Sequence, residues 1–110
     1  MTELGDLFRE IRDAGGGMAR IYVPGGPAEP VFLADFLRTQ PELADGATFI
    51  GLWLPGMNRT DWAGLHPNAR AESTFLYGDQ RASYDAGKFR LLPLHYSSAY
   101  EWIARSPLDA

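Results

Sequence analysis

"MARIYVPGGPAEPVFLADFLRTQPELADGATFIGLWLPG", residues 18–56, carries a β-rich run, a glycine-proline turn, an amphipathic run and a second apolar run in unbroken succession. "MARIYV" has strand composition. After Pro30, Phe32, Leu33, Phe36 and Leu37 share one helical face, and Pro41 closes that helix. "ATFIGLWLPG" has strand length and lies between Gly46 and Pro55-Gly56. A strand, a helix and a strand within about 35 residues make a βαβ unit, which requires parallel pairing and a right-handed crossover.

The flanking sequence extends the same alternation. Leu4, Leu7, Phe8 and Ile11 recur at helical spacing with Thr2 placed to cap the start, and Gly15-Gly16-Gly17 ends the helix. Downstream, residues 57–72 show no clean period and read as an irregular loop, long enough to have a role of its own. "STFLY" is the third expected strand. Asp79 as N-cap and Gly87 as stop define a short helix, "RLLPLHY" a fourth strand with Pro93 at an edge or end, and Ser98 with Glu101 a capping box opening a last helix. The expected fold class is α/β: a layered, mostly parallel sheet with flanking helices. "SPLDA" follows the last helix where another strand would come, so residues 1–110 are expected to form the N-terminal portion of a longer polypeptide; the alternative is a complete small protein ending on a helix.

Composition narrows the function classes. With 110 residues, 45% of them apolar, the chain can bury one core. Acidic residues outnumber basic ones 14 to 10, for a net charge of −4, and the basic residues are scattered, which argues against nucleic acid as partner. The absence of cysteine removes disulfides, thiolate nucleophiles and cysteine-based zinc sites, and fits a cytoplasmic location. The N-terminus lacks the pattern of a secretory signal, and no run approaches the ~20 apolar residues of a membrane span.

Few residues carry a chemical signal. Gly25 and Gly26 sit between a strand and a helix, where the backbone can approach a ligand closely and free N–H groups favour anionic or polarised oxygens. The dinucleotide fingerprint is absent, and Pro27 removes one N–H from any phosphate cradle. A tight structural turn with Pro30 near the first helical position explains the same residues equally well. Glu29 reads as a complement to the helix dipole rather than a catalytic acid. His66 and His95 lie far apart in sequence, with no carboxylate at ligand spacing and no nucleophile elbow nearby, so neither a metal site nor a hydrolase triad is expected. Ser73, Ser83, Ser97, Ser98 and Ser106 have capping or surface roles, and Trp53, Trp62 and Trp102 are core candidates, with Trp62 in the loop also able to line a pocket. Arg81, in the first turn of the short helix, is disfavoured there by the dipole and is expected to meet an anion or a buried partner.

Three segments in order, "RIYVPGGPAEPVFLADFL", "ATFIGLWLPG" and "FLYGDQRASYDAGKFRLLPLHYSSAYEWI", resemble the N-terminal part of the acetyl-CoA hydrolase / CoA-transferase family, which includes 4-hydroxybutyrate and acetate CoA-transferases. The resemblance covers nearly the whole chain, in order and spacing. It implies half of a two-domain CoA-transferase-type fold, a homo-oligomer, coenzyme A as substrate rather than bound cofactor, and acyl-CoA and a small carboxylate as ligands. In that family a glutamate attacks the acyl-CoA thioester, passes through a mixed anhydride and becomes a glutamyl-CoA thioester that the acceptor acid, or water in hydrolases, resolves. The family's glutamate lies in the second half, so the resemblance assigns no catalytic residue and no metal to these 110 residues, and implies that the isolated chain is inactive until the C-terminal half or a partner chain completes it. What carries over is substrate binding: Gly25, Gly26 and Pro27 in the first turn, Gly78 and Arg81 in the second, and Pro55 and Gly56 at the strand end between them, all expected to face the inter-domain cleft. A different class of function is a small-anion or partner-binding α/β module without chemistry.

Overall fold

The computed structural model describes residues 2–25, 29–54, 57–76, 78–92 and Leu108. Helix α1 (Thr2–Ala14) leads to β1 (Ala19–Tyr22), α2 (Val31–Thr39), a 3-10 turn over Pro41–Ala44, and β2 (Ala47–Gly51). A second 3-10 turn (Trp62–Leu65) precedes β3 (Arg70–Ser73), and a third (Gly78–Gln80) runs directly into α3 (Arg81–Asp85) before β4 (Phe89–Leu91). The four strands among the described residues form one all-parallel sheet in the order β1-β2-β3-β4. The chain is therefore α/β with a parallel sheet and flanking helices, as its alternation implies.

Register fixes the two faces of the sheet. Ile21 pairs with Phe49, Phe49 with Ala71 and Ala71 with Phe89, and this row faces the helices. Alternation along each strand adds Ala19, Ala47 and Ser73 to the same side. Phe8 of α1, Ala34, Phe36 and Leu37 of α2, Leu43 and the rings of Trp53 and Trp62 close over that side as one continuous core. On the opposite side, Glu72 of β3 sits between Arg20 of β1 at 3.4 Å and Arg90 of β4 at 4.0 Å.

Three glycines end the first helix in the expected way. The Gly15 and Gly17 N–H groups donate to the Ile11 and Arg12 carbonyls at 3.1 and 2.8 Å, with Gly16 and Gly17 at φ 69° and 94°. Gly87 stops α3 in the same manner, at φ 76°, while Lys88 N–H reaches back to the Ser83 carbonyl at 2.9 Å.

Several expectations are corrected. The third strand is "RAES", residues 70–73, and not "STFLY", residues 73–77. Phe75, Leu76 and Tyr77 have higher strand propensity, but the space above this strand is filled by wholly buried indole rings, so the core-facing positions must be the small Ala71 and Ser73. The fourth strand begins at Phe89, one residue early, and the 57–72 stretch is not irregular throughout, since it holds the Trp62–Leu65 turn and most of β3. Asp79 does not cap α3, which starts from Gln80 without a side-chain cap. Phe32 is 67% exposed and Leu7 49% exposed, although both share the apolar spacing of their helices. The buried residues of α2 are Ala34, Phe36 and Leu37, with Leu33 partly buried, and Phe32 lies at the margin of that face, roughly 140° around the helix from Leu37. Pro93, His95, Trp102 and the last expected helix lie outside the described residues.

Gly51 is the tightest point of the sheet. A Cβ there would fall 2.6 Å from the Val23 carbonyl oxygen and would overlap the Trp53 indole nitrogen. Gly51→Ala is expected to lower the unfolding free energy by about 1–3 kcal/mol, read as a lower urea midpoint at unchanged m-value.

Candidate functional site

Parallel strands deliver all their carboxyl ends to one edge of the sheet, the edge where open α/β sheets bind ligands. Here that edge receives the connections leaving β1, β2 and β3, which are the three places that carry the sequence-predicted residues. Gly25 follows β1, and Gly78 and Arg81 follow β3, two strands away, on either side of the connection that leaves β2. Gly26, Pro27, Pro55 and Gly56 lie outside the described residues.

Gly25 has a steric requirement that the sequence alone leaves ambiguous. A Cβ at this position would overlap the Leu52 carbonyl oxygen and come within 2.9 Å of its carbon. The glycine lets two backbones cross where β1 and β2 end, so the close approach it serves includes the chain's own backbone. Trp53 reinforces the crossing, because its indole N–H donates to the Val23 carbonyl at 3.2 Å. Gly78 differs: a Cβ there would meet nothing within 4 Å. Arg81 finds its anion on its own helix, pairing with Asp85 at 3.1 Å while its side chain stays 70% exposed.

Between these points lies a set of polar side chains: Asn58, Thr60 and Gln80, which the sequence does not single out, and Ser73 and Ser83, whose expected capping or surface roles their burial corrects. Asn58, Thr60, Ser73, Gln80 and Ser83 are buried polar residues, and all follow or terminate a strand at this edge. The Asn58 side-chain oxygen accepts from the Leu54 N–H at 2.7 Å, closing the turn after β2. Glu29 accepts from the Thr60 N–H at 3.2 Å, so the carboxylate after the first glycine turn is tied to the loop after β2. Ser83 of α3 donates to Asp61 Oδ2 at 2.7 Å. Trp62 is wholly buried, with its ring centroid 5.3 Å from that of Phe49 in a tilted contact. A local signal was available: "NRTD" places four polar residues directly before a tryptophan, a pattern more economical for internal hydrogen bonding than for a solvated loop.

The chemistry of this edge is that of a polar binding surface. Ser83 and Asp61 form a hydroxyl-carboxylate pair, but His66 precedes β3 and so lies at the opposite end of the sheet, where its Nδ1 accepts from the Asn68 N–H at 2.9 Å. No histidine joins the pair among the described residues, and among them no group of three or more histidines and acids is placed to hold a metal ion. Asp61 Oδ1, Trp62 Nε1 and Thr74 Oγ1 are buried without a hydrogen-bond partner among the described residues. Such atoms lower stability, because each loses its water without replacement.

Thr74→Val removes one of these atoms at nearly constant shape. It is expected to raise the unfolding free energy by about 1 kcal/mol in urea titration.

A scan against protein-family models and searches of curated proteins and of solved structures each return no match to this chain.

Proposed function

We propose that this domain is the N-terminal part of a CoA-transferase or acyl-CoA hydrolase, and that it lines the acyl-CoA cleft with the carboxyl ends of β1, β2 and β3. The observation that carries this reading is the convergence of three connections on one sheet edge. These are the connections that hold Gly25-Gly26-Pro27, Pro55-Gly56 and Gly78 with Arg81. The order and spacing of the three resembling segments support it as well.

In this reading the chain supplies binding and orientation. Backbone N–H groups near the glycine turn and the start of α2 face the polarised thioester oxygen, and the Arg81 guanidinium attracts a carboxylate. The nucleophile comes from a glutamate outside residues 1–110. Two of the chain's own glutamates are already committed: Glu29 to the Thr60 N–H, and Glu72 to Arg20 on the far face of the sheet. The reaction moves CoA from the donor thioester to the acceptor carboxylate, releasing the donor acid as its carboxylate, and needs neither a metal nor a redox cofactor.

A small-anion-binding module without chemistry is the second reading. The described residues favour it in one respect, since they hold hydrogen-bond donors and a guanidinium but no nucleophile-base pair with a histidine.

The test is isotope exchange between acetyl-CoA and labelled short carboxylates, catalysed by the protein as its gene encodes it. Exchange, with inactivation by borohydride or hydroxylamine only after acyl-CoA loading, is the expected result, and Arg81→Ala should raise KM for the carboxylate about tenfold. A well-folded protein that binds acetate or phosphate yet exchanges nothing, with every carboxylate tried, assigns the domain to the binding-module reading instead.

A further inference from the structure

The segment from Asn58 to Trp62 reaches the connections leaving β1, β2 and β3 at the carboxyl edge of the sheet. Asn58 holds the turn after β2 through the Leu54 N–H, at 2.7 Å. Two residues on, the Thr60 N–H holds Glu29 and with it the entry to α2, at 3.2 Å. Asp61 holds Ser83 and with it α3, at 2.7 Å. Trp62 anchors the whole segment in the core against Phe49. Five residues can do this because their backbone is not helical: Asp61 sits at φ −90° and ψ 86°, so neighbouring residues address different directions.

The close fit around Asp61 is specific to its neighbours. A Cβ at Gly64 would lie 3.0 Å from the Asp61 carboxyl carbon and overlap Oδ2, so only glycine lets the Trp62–Leu65 turn fold back on this carboxylate. Ser83 is itself buried, which keeps water from competing for its hydrogen bond to Asp61. Neither contact shares an atom with the Glu29 tie, yet the two ties leave adjacent residues, Thr60 and Asp61. A displacement of one therefore moves the donor or acceptor of the other.

We propose that Asn58, Thr60, Asp61 and Trp62 form a clasp that holds the three strand-end connections as one cooperative unit, with Asp61 as the positioning residue for the segment bearing Gly78 and Arg81. Any ligand seated at this edge meets donors whose spacing is set by the clasp rather than by the ligand. The coupling stands on the hydrogen-bond geometry alone; its effect on acyl-CoA binding rests on the function proposed above.

Amide hydrogen exchange by NMR on the protein as its gene encodes it tests the coupling without any ligand. Asp61→Ala is expected to speed exchange roughly tenfold at the Thr60 and Leu54 N–H groups, neither of which bonds to Asp61, and to leave Phe49 and Leu37 unchanged. Asp61→Asn keeps an oxygen that can accept from Ser83 and should restore slow exchange. Ser83→Ala, a milder change in packing, should reproduce the Asp61→Ala pattern. Faster exchange confined to residues beside the substitution, equal acceleration of the Phe49 and Leu37 amides, or failure of Asp61→Asn to rescue each overturns the clasp. An acetyl-CoA titration of the protein as its gene encodes it separates the two ideas: coupled exchange with no acetyl-CoA-induced shift at the Gly25 or Gly78 amides keeps the clasp and removes the acyl-CoA reading.

Discussion

Two indole rings, Trp53 and Trp62, must be buried over one face of a four-stranded sheet, and the rest of the molecule accommodates that volume. The floor beneath them is built from small side chains: Ala19, Ala47, Gly51, Ala71 and Ser73. Trp53 lies edge-on to Phe89 at 6.5 Å, and Trp62 lies tilted on Phe49 at 5.3 Å, so the rings bind both the centre of the sheet and its β4 edge. The polar ends of the rings are treated differently. Trp53 turns its N–H to the Val23 carbonyl, which joins the ends of β1 and β2. Trp62 enters the core from the loop after β2 and brings that loop back across the carboxyl edge, where its polar neighbours meet the other connections.

This constraint explains which parts of the fold the sequence reveals. The 18–56 stretch is legible because its apolar spacing and its turn residues agree with the tertiary environment: β1, α2 and β2 fall where their periods put them. Gly87 and the Gly15–Gly17 run are legible because helix termination is a local matter of positive φ. The third strand is not, because "RAES" owes its place to the rings above it and to the Arg20 partner of Glu72, both contributed from elsewhere in the chain. Phe32 misleads because it stands at the margin of the apolar stripe, in the first turn of α2, while Ala34, Phe36 and Leu37 take the buried positions. At the candidate site, Gly25 could be read from its turn, whereas Asp61 and Ser83 could not, since each looks like an ordinary surface residue until the fold brings them together.

The two faces of the sheet follow opposite logic. The helix-covered face excludes charge and gains from dispersion and water release. The other carries Glu72, whose side chain is mostly buried, between Arg20 and the far more exposed Arg90. A carboxylate this deep is tolerable because a guanidinium from β1 spans β2 to reach it, and the main role of such a pair is to penalise any register that would separate the two charges. Sliding β3 by one residue against β2 would turn Glu72 into the aromatic core and Ala71 out of it.

The strand order has a consequence for how the chain acquires its shape. Every strand pairs with the next one in sequence, so each addition to the sheet closes a loop of only roughly 20 to 30 residues and never waits for a distant segment. A ribosome releasing this polypeptide from its N-terminus would release each strand after the template it extends, and the sheet can grow vectorially, with β1 and β2 as the seed. Trp53 and Trp62 follow β1 and β2, which lay down the first half of their floor, and precede Ala71, Ser73 and Phe89, so the aromatic layer is complete only when β3 and β4 join the sheet.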